Sequence, residues 1–335
     1  MSQPSGRDIS ANRRVLLQVG LGSAAVAALV LIVGATTPDP NRGPGAGDYV
    51  GINEVPLALA DPPGGPDASM GRFAVSCGRN ERGHRNSDNV IVAPGTVNAA
   101  HHIHDYVGNL SADAFSTDAS LATADTTCTN GDRSTYYWPV LRRLNAAGGD
   151  AHVHGGGLDG NHGSIVAPSE VRIEFHGNPA GPVVDMPRFL RVATGDARAL
   201  TNGPQPFARV QWTCSNEPRR RTDRYPRCPA GARTVRIFDF PSCWNGQTTD
   251  SDTHRTHVVF PEPDGACLSG FRAVPALRIE VAYDLSENEP FAIDTFPEQR
   301  RSPRTDHADF INVMTDDQMA QIVDCLNTGR TCPQP

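Results

Sequence analysis

Short stretches in which apolar and polar residues alternate recur through the middle of the chain. They are rich in β-branched and aromatic residues, and clusters of glycine, proline, asparagine and aspartate separate them. This pattern is typical of β-strands joined by turns. The stretches that fit best are residues 90–92, 171–175, 189–193, 208–212, 234–240, 257–260 and 277–283. Because long amphipathic helical patterns are absent there, the sequence predicts a mainly β fold, an antiparallel β-sandwich or jelly roll with long loops.

One helix is predicted near the C-terminus. Thr315 is followed three residues later by Gln318, a pair that forms a capping box at a helix N-terminus. Apolar residues then recur at helical spacing, at Met319, Ile322, Val323 and Leu326. We expect a C-terminal helix over residues 316–326 that packs on the sheet and is tied down by Cys325.

The N-terminal part of the chain has a different composition. Residues 15–35 are nearly all apolar or small and follow Arg13 and Arg14, and ~20 such residues suffice to span a bilayer. We interpret residues 1–35 as a cleaved secretory signal or a retained membrane anchor, and the paired arginines also resemble a twin-arginine export signal. In each case the positive flank predicts that the rest of the chain lies outside the cytoplasm, either secreted or anchored to the membrane.

The remaining residues divide into a spacer and a domain. Residues 36–69 are dominated by proline, glycine, aspartate and alanine, so we expect a flexible linker. Residues 70–335 then form a single extracytoplasmic domain. Its eight cysteines, an even number in an exported chain, predict disulfides rather than metal ligands. Cys214 with Cys228 and Cys325 with Cys332 are candidate pairs because each pair is close in sequence.

Charge and motifs exclude several classes of function. The formal net charge is −7, with 30 basic and 37 acidic residues, and the one basic cluster spans residues 219–224. Nucleic-acid binding needs a basic face with interleaved aromatic residues, so we expect no nucleic-acid partner. The motifs of a nucleophilic serine, an H-E-x-x-H metalloprotease and a phosphate-binding loop are absent as well.

Two histidine-containing segments are candidates for chemistry. His102 and His104 are two residues apart, so on a strand both imidazoles face one side and can bind one metal ion. The alternative is that one ring bonds a backbone carbonyl while the other faces water. Asp309 follows two residues after His307, where a carboxylate can orient the ring and support its charged form.

A third candidate segment lies between two predicted strands near residues 235–261. Its loop carries Asp250 and two histidines three residues apart, His254 and His257. Binding and catalytic groups are common on loops held at both ends by core elements. Trp244, in the same loop, can stack on a sugar ring, and we consider Tyr137 together with it as a stacking platform.

These segments, taken together, resemble one family. The residues concerned are F-A-V-S-C at 73–77 and N-V-I-V-A-P-G at 89–95, His102 and His104 with 108–109, T-C at 127–128 with D-R-S at 132–134 and Y-W-P at 137–139, F-P-S-C-W-N-G at 240–246 with His254 and His257, and H-A-D-F at 307–310. In order and spacing they resemble the DUF1996 family, a domain of unknown function of secreted fungal and some bacterial proteins that sometimes occurs beside WSC carbohydrate-binding domains. Asn245 stands where that family usually has aspartate. The resemblance implies an exported domain with a shared polar site.

We therefore expect an enzyme that acts on a polysaccharide by hydrolysis or elimination. The expected catalytic residues are His102, His104, His257, His307 and Asp309, and the resemblance implies that the four histidines cluster. We expect His102, His104 and His307 to bind a divalent metal. Substrate would be bound by Trp244, Tyr137, Asp250 and His254. The alternative is a non-catalytic cell-wall or carbohydrate-binding module. The expected partners are a cell-envelope glycan and, if residues 15–35 are retained, the membrane.

Overall fold

Two large antiparallel sheets contain most of the strand residues in this computed structural model, which describes residues 43–60 and 62–332. The strands are β1 (Tyr49–Gly51), β2 (Arg72–Val75), β3 (Arg85–Asn86), β4 (His104–Gly108), β5 (Thr135–Pro139), β6 (Leu141–Arg143), β7 (Ser164–Val166), β8 (Glu170–His176), β9 (Arg191–Gly195), β10 (Gln211–Cys214), β11 (Tyr225–Arg227), β12 (Thr234–Asp239), β13 (Cys243–Trp244), β14 (Val258–Val259), β15 (Arg272–Ala273), β16 (Ala276–Tyr283), β17 (Phe291–Ile293), β18 (His307–Ile311) and β19 (Thr331–Cys332). The helices are α1 (Asp118–Thr123), α2 (Ala199–Asn202) and α3 (Asp316–Asn327), and single 3₁₀ turns span Ala46–Asp48, Ile52–Glu54, Gly157–Asp159, Pro297–Gln299 and Pro303–Thr305.

The larger sheet has six strands in the order β10-β12-β16-β8-β2-β19, and the second has five in the order β3-β4-β5-β18-β9. All neighbours are antiparallel except β19, which runs parallel to β2. Small sheets of three strands (β14-β13-β15 and β17-β6-β7) and the parallel pair β1-β11 flank them. The predicted mainly β, sandwich-like fold is confirmed.

The two large sheets share one hydrophobic core. Phe310 of β18 stacks on Tyr136 of β5 with ring centroids 5.0 Å apart, and it meets Phe175 of β8, on the other sheet, edge-on at 6.1 Å. All three rings are fully buried. Side chains alternate between the faces of a strand, so Asp309, which precedes Phe310 in β18, lies on the outer face of the five-stranded sheet. His307, two residues before Asp309, lies on the same outer face.

The C-terminal helix begins and ends close to the predicted bounds. The hydroxyl of Thr315 accepts a hydrogen bond from the backbone N–H of Gln318, which forms the predicted capping box. Met319, Ile322 and Leu326 are buried in the sandwich core. A disulfide joins Cys325, at the end of the helix, to Cys332 in β19.

The folded part begins upstream of Met70, which corrects the predicted linker boundary. β1 pairs with β11, and Val50, Ile52 and Val55 are buried in a small cluster with Cys214. These apolar side chains bury enough surface to dock residues 49–55 despite the glycine and proline around them. The predicted signal or anchor, residues 1–35, lies outside the described residues. Within the described ranges no helix is both long and apolar enough to cross a bilayer.

Four disulfides join the eight cysteines. They pair Cys77 with Cys128, Cys214 with Cys228, Cys243 with Cys267 and Cys325 with Cys332, which confirms both candidate pairs. Disulfides persist in oxidising compartments, so this framework indicates a secreted or otherwise extracytoplasmic protein.

One predicted strand is wrong. Residues 90–92 form a turn, because the Asn89 side-chain oxygen accepts hydrogen bonds from the backbone N–H groups of Ile91 and Val92. Val90 and Ile91 are nevertheless buried, in a small apolar cluster that contains Tyr106 and Tyr137 on the outer face of the five-stranded sheet. The apolar run therefore indicated burial and not extended structure.

Candidate functional site

Three adjacent strands of the five-stranded sheet bring two of the predicted histidines together. His104 of β4 lies opposite Pro139 of β5, and Asp309 of β18 lies opposite Tyr137. Because side chains repeat every two residues along a strand, His307 falls level with Pro139 on the same face. His102 joins His104 and His307 from the turn that precedes β4.

The three rings meet at their Nε2 atoms. His102 Nε2 lies 3.0 Å from His104 Nε2 and 3.1 Å from His307 Nε2. For comparison, two nitrogens bound to one tetrahedral zinc at ~2.0–2.1 Å are about 3.3 Å apart. The three side chains are 1%, 0% and 5% exposed, respectively. We call them the three-histidine set, and their spacing is that of ligands around a single ion.

Hydrogen bonds determine the tautomer of two of these rings. His104 Nδ1 lies 3.1 Å from the Asp88 carbonyl, and His307 Nδ1 lies 2.8 Å from the Thr305 carbonyl. A carbonyl only accepts, so each Nδ1 donates its proton, and in the neutral ring Nε2 then has a free lone pair. Metal-binding histidines usually adopt this arrangement, with one ring nitrogen held by a backbone or carboxylate acceptor.

Burial keeps the three rings neutral. It lowers the pKa of His102 and His104 well below the usual 6.5, and the neighbouring imidazoles lower both values further. Burial also lowers the pKa of His307 to about 4, although its bond to the Thr305 backbone opposes the change. Metal ligands must be deprotonated, so near neutral pH all three rings are in the form that binds a cation.

Asp309 is the carboxyl group of this site. It is buried, and its Oδ2 has no hydrogen-bond partner among the described residues. Burial raises the pKa of Asp309 to about 7, against the opposing charge of Arg255. A carboxyl group that titrates near neutral pH can both accept and donate a proton, as general acid–base catalysis requires.

The set opens onto a cleft of about 880 Å³, whose lining includes His102, His307 and Asp309. Its other walls are largely apolar, with Phe207, Phe260 and Phe296 among them. Three arginines stack on these rings: Arg209 on Phe260 at 3.7 Å, Arg198 on Phe296 at 4.0 Å and Arg255 on Phe207 at 4.5 Å. The cleft is large enough for a ligand of several sugar-sized rings.

Sequence reasoning missed the cleft arginines. Arg255 stands between His254 and His257, inside a segment already chosen for its histidines, so its position was a usable signal. Arg198 and Arg209 have no comparable signal in the sequence. Arg198 stacks on Phe296, 98 residues away, and Arg209 stacks on Phe260, 51 residues away.

His257 does not join the three-histidine set. Its Nε2 lies 2.6 Å from the Arg191 carbonyl and its Nδ1 lies 3.0 Å from the Ser251 hydroxyl. With both ring nitrogens occupied, His257 has no lone pair for a shared ion. The predicted convergence of four histidines is therefore corrected to three, and His257 instead holds the 251–257 loop against β9.

His254 and Asp250 form a separate pair. His254 Nδ1 lies 2.9 and 3.1 Å from the two carboxylate oxygens of Asp250. His254 lines the cleft, whereas Asp250 is not part of the lining. Asp250 is thus positioned to orient the histidine ring and not to contact a ligand itself.

The two aromatic residues considered as a stacking platform lie elsewhere. Tyr137 is fully buried, stacks on Tyr106 at 4.9 Å and donates its hydroxyl proton to Asn89 at 3.1 Å. Trp244 is half-buried, packs against the sandwich core and donates its indole N–H to the Thr248 carbonyl at 2.7 Å. Neither lines the cleft, so the predicted platform is corrected. Tyr137 supports the sheet beneath Asp309, and Trp244 braces its own loop.

Fold and site together define a class: a disulfide-bonded β-sandwich with a buried three-histidine set at one cleft. The chain belongs to the DUF1996 family, described as a domain of unknown function, whose sequence profile matches residues 89–313. That range contains the three-histidine set, Asp309 and Arg255. No curated protein and no solved structure shows a significant match to the chain.

Proposed function

We propose that this protein is an exported enzyme that binds a divalent cation at the three-histidine set and cleaves a polysaccharide by hydrolysis or elimination. One observation carries the proposal: the Nε2 atoms of three buried imidazoles face one another at 3.0 and 3.1 Å. In His104 and His307 the Nδ1 proton is donated to a backbone carbonyl, so the Nε2 atom of each neutral ring has a free lone pair.

One divalent cation satisfies three facing Nε2 atoms better than a single shared proton does. If His102 carries its proton on Nε2, that single N–H must be shared between two acceptors, and neither bond is well formed. With the His102 proton on Nδ1 instead, the Nε2 atoms of all three histidines would be free to bind one divalent ion. Neutral imidazoles suit zinc, copper, iron and nickel, and three protein ligands leave a coordination position open for water or substrate. When bound, such an ion polarises substrate oxygen and lowers the pKa of bound water.

The chain supplies proton-transfer groups beside the ion site. Asp309 lies two residues from His307 on the same face of β18 and lines the cleft. His254 lines the cleft as well and is oriented by Asp250. Either group can move a proton at the scissile bond, so acid and base are both available.

The alternative function, a carbohydrate-binding surface module, has less support. It relied on Tyr137 and Trp244 as an exposed platform, and neither side chain lines the cleft. The support for a glycan substrate is the extracytoplasmic disulfide framework, the size of the cleft and the resemblance to domains found beside carbohydrate-binding modules.

The first test is metal content. The full chain is produced by export, stripped with a chelator and titrated with zinc, copper and other divalent ions, with bound metal measured by mass spectrometry. We expect one ion per chain in the unaltered protein and none in His104→Ala. His154→Ala is the matched control, because His154 is exposed and lies outside the cleft, and it should bind one ion. Equal binding by His104→Ala would overturn the metal site.

The second test is cleavage of a glycan panel. New reducing ends report hydrolysis and elimination alike, whereas ultraviolet absorbance of an unsaturated product reports elimination alone. We expect one of these signals to require the metal and to be lost in Asp309→Asn. If the protein binds metal and cleaves no glycan in the panel, the ion site stands and the polysaccharide part of the proposal fails.

A further inference from the structure

We infer that the substrate is an acidic glycan that contains uronate residues, held by Arg255, Arg209 and Arg72 along a groove that leads away from the three-histidine set. This inference rests on the proposed function and deepens it. It names the class of polymer and makes the carboxylate groups of that polymer the feature that is recognised.

The groove consists of two adjoining cavities. The cleft at the three-histidine set shares Arg209, Phe260 and residues 261–263 with a second cleft of about 540 Å³. Arg72, the first residue of β2, lines this second cleft and not the first. Two clefts that meet along a common wall accommodate an extended chain and exceed what a single sugar needs.

In the part of the chain that the structure describes, no carboxylate lies within 4.0 Å of the guanidinium of Arg72, Arg209 or Arg255. Arg72 and Arg209 are exposed. Arg255 is half-buried, and most other buried or half-buried arginines have an ion-pair partner. Arg255 makes one bond, from Nη1 to the Ala193 carbonyl at 3.0 Å. The other N–H groups of these side chains are available to a ligand.

Stacking presents two of the guanidinium groups in a usable orientation. Arg209 lies over the ring of Phe260 at 3.7 Å, and Arg255 lies over Phe207 at 4.5 Å. A stacked guanidinium uses its planar face and leaves its N–H edges free. Those edges match a carboxylate in a two-point hydrogen bond, a geometry that a hydroxyl of a neutral sugar cannot reproduce.

The carboxylates of the groove do not pair with these arginines. Asp196 accepts hydrogen bonds from Asn202 at both oxygens, and Asp239 is paired with Arg278 at 2.5 Å. Asp196, Glu262 and Asp309 remain against the three arginines, so the ion that we place at the three-histidine set makes the groove positive, on a chain whose formal net charge is −7. Such local complementarity selects an anionic ligand.

The test is binding of defined polymers to the full chain. Polygalacturonate and alginate are compared with neutral xylan and β-glucan and with dextran sulfate, in the Asp309→Asn variant, which should keep its metal ion and lose cleavage. We expect the uronate polymers to bind most tightly. Arg209→Gln and Arg255→Gln should each weaken that binding by about three- to tenfold.

The matched control is Arg227→Gln. Arg227 is exposed, stacks on Tyr49 at 5.4 Å and lines a different cavity, so its replacement should leave uronate binding unchanged. Three results would overturn the inference: neutral glycans that bind as tightly as uronates, dextran sulfate that binds as tightly, or cleft variants that bind like Arg227→Gln.

The failure of this inference can be told apart from failure of the proposed function. Both arginine variants should retain one metal ion per chain, because neither arginine contacts the three-histidine set through a hydrogen bond. Arginine-dependent uronate binding without metal would sustain the groove and reject the ion chemistry. Metal-dependent cleavage of a neutral glycan would sustain the chemistry and reject the groove.

Discussion

The buried ion pair between Arg236 and Asp306 connects the two large sheets directly behind the site. Arg236 Nε donates to Asp306 Oδ2 at 3.0 Å, and its Nη2 bonds the other carboxylate oxygen. Arg236 Nη1 also donates to the Pro139 carbonyl at 2.7 Å and to the Tyr283 hydroxyl at 3.0 Å. The two charged side chains are 0% and 2% exposed. Asp306→Asn would therefore leave a positive charge in the core without its counter-charge.

The magnitude follows from this burial. Removing one partner of a buried ion pair costs about 3–5 kcal/mol, because the remaining charge stays desolvated. The control is Asp324→Asn: Asp324 pairs with Arg330, but their side chains are 67% and 56% exposed, and exposed pairs contribute about 0–1 kcal/mol. For a domain of this size 1 kcal/mol shifts Tm by about 2–4 °C. We therefore expect losses of about 6–20 °C for Asp306→Asn and below about 4 °C for the control.

The assay is equilibrium unfolding in urea near neutral pH, together with a thermal scan, both with the disulfides intact. Metal content is measured in parallel, because Asp306 immediately precedes His307. If Asp306→Asn destabilises the protein no more than Asp324→Asn does, the pair does not hold a buried charge and the packing of the two sheets has been misread.

Three further outcomes are expected. In the metal-free protein the pKa values of the three-histidine set lie below the 6.5 of an unfolded histidine. As the pH falls below about 6.5, the unfolded chain therefore binds protons at these histidines that the folded chain does not bind. The folded state loses stability as a result. Asp309, whose folded pKa is raised to about 7, binds an extra proton when folded and offsets one histidine. The net loss between about pH 6 and pH 5 should be roughly 2–3 kcal/mol per pH unit in urea titrations, and a pH-independent stability there would contradict the assignment. His257→Ala should cost about 1–3 kcal/mol, since it leaves the Arg191 carbonyl without its partner, yet keep one metal ion per chain by mass spectrometry. Tyr137→Phe should cost about 0.5–1.5 kcal/mol through the lost bond to Asn89 and leave glycan binding unchanged; a large binding loss would restore Tyr137 as a ligand contact.

Part of the fold was predictable because strand periodicity is a local property. The alternating stretches 171–175 and 277–283 became β8 and β16, which pair along their whole length in the larger sheet. The stretch 90–92 failed because the Asn89 side chain competes for backbone N–H groups, and apolar content alone does not reveal that competition.

The site was predictable to the extent that it depends on spacing within a segment. H-x-H at 102–104 and H-A-D at 307–309 each place polar groups at a two-residue interval, and the structure brings these segments together. The order of the strands could not be predicted from either segment, because β4 and β18 are distant in sequence and become close only through their pairing with β5. The position of His257 depends on a carbonyl 66 residues away in sequence, and no sequence pattern announces such a partner.

The edge of the six-stranded sheet has a consequence for self-association. β19, only two residues long, covers the outer edge of β2, and the Cys325–Cys332 disulfide holds it there. Without that cover, the free backbone groups of β2 would form an exposed strand edge, the element through which sheets of different molecules pair and aggregate. A short, covalently tethered final strand gives no comparable template for a neighbour. The Cys325–Cys332 disulfide therefore protects the protein against polymerisation through its own sheet.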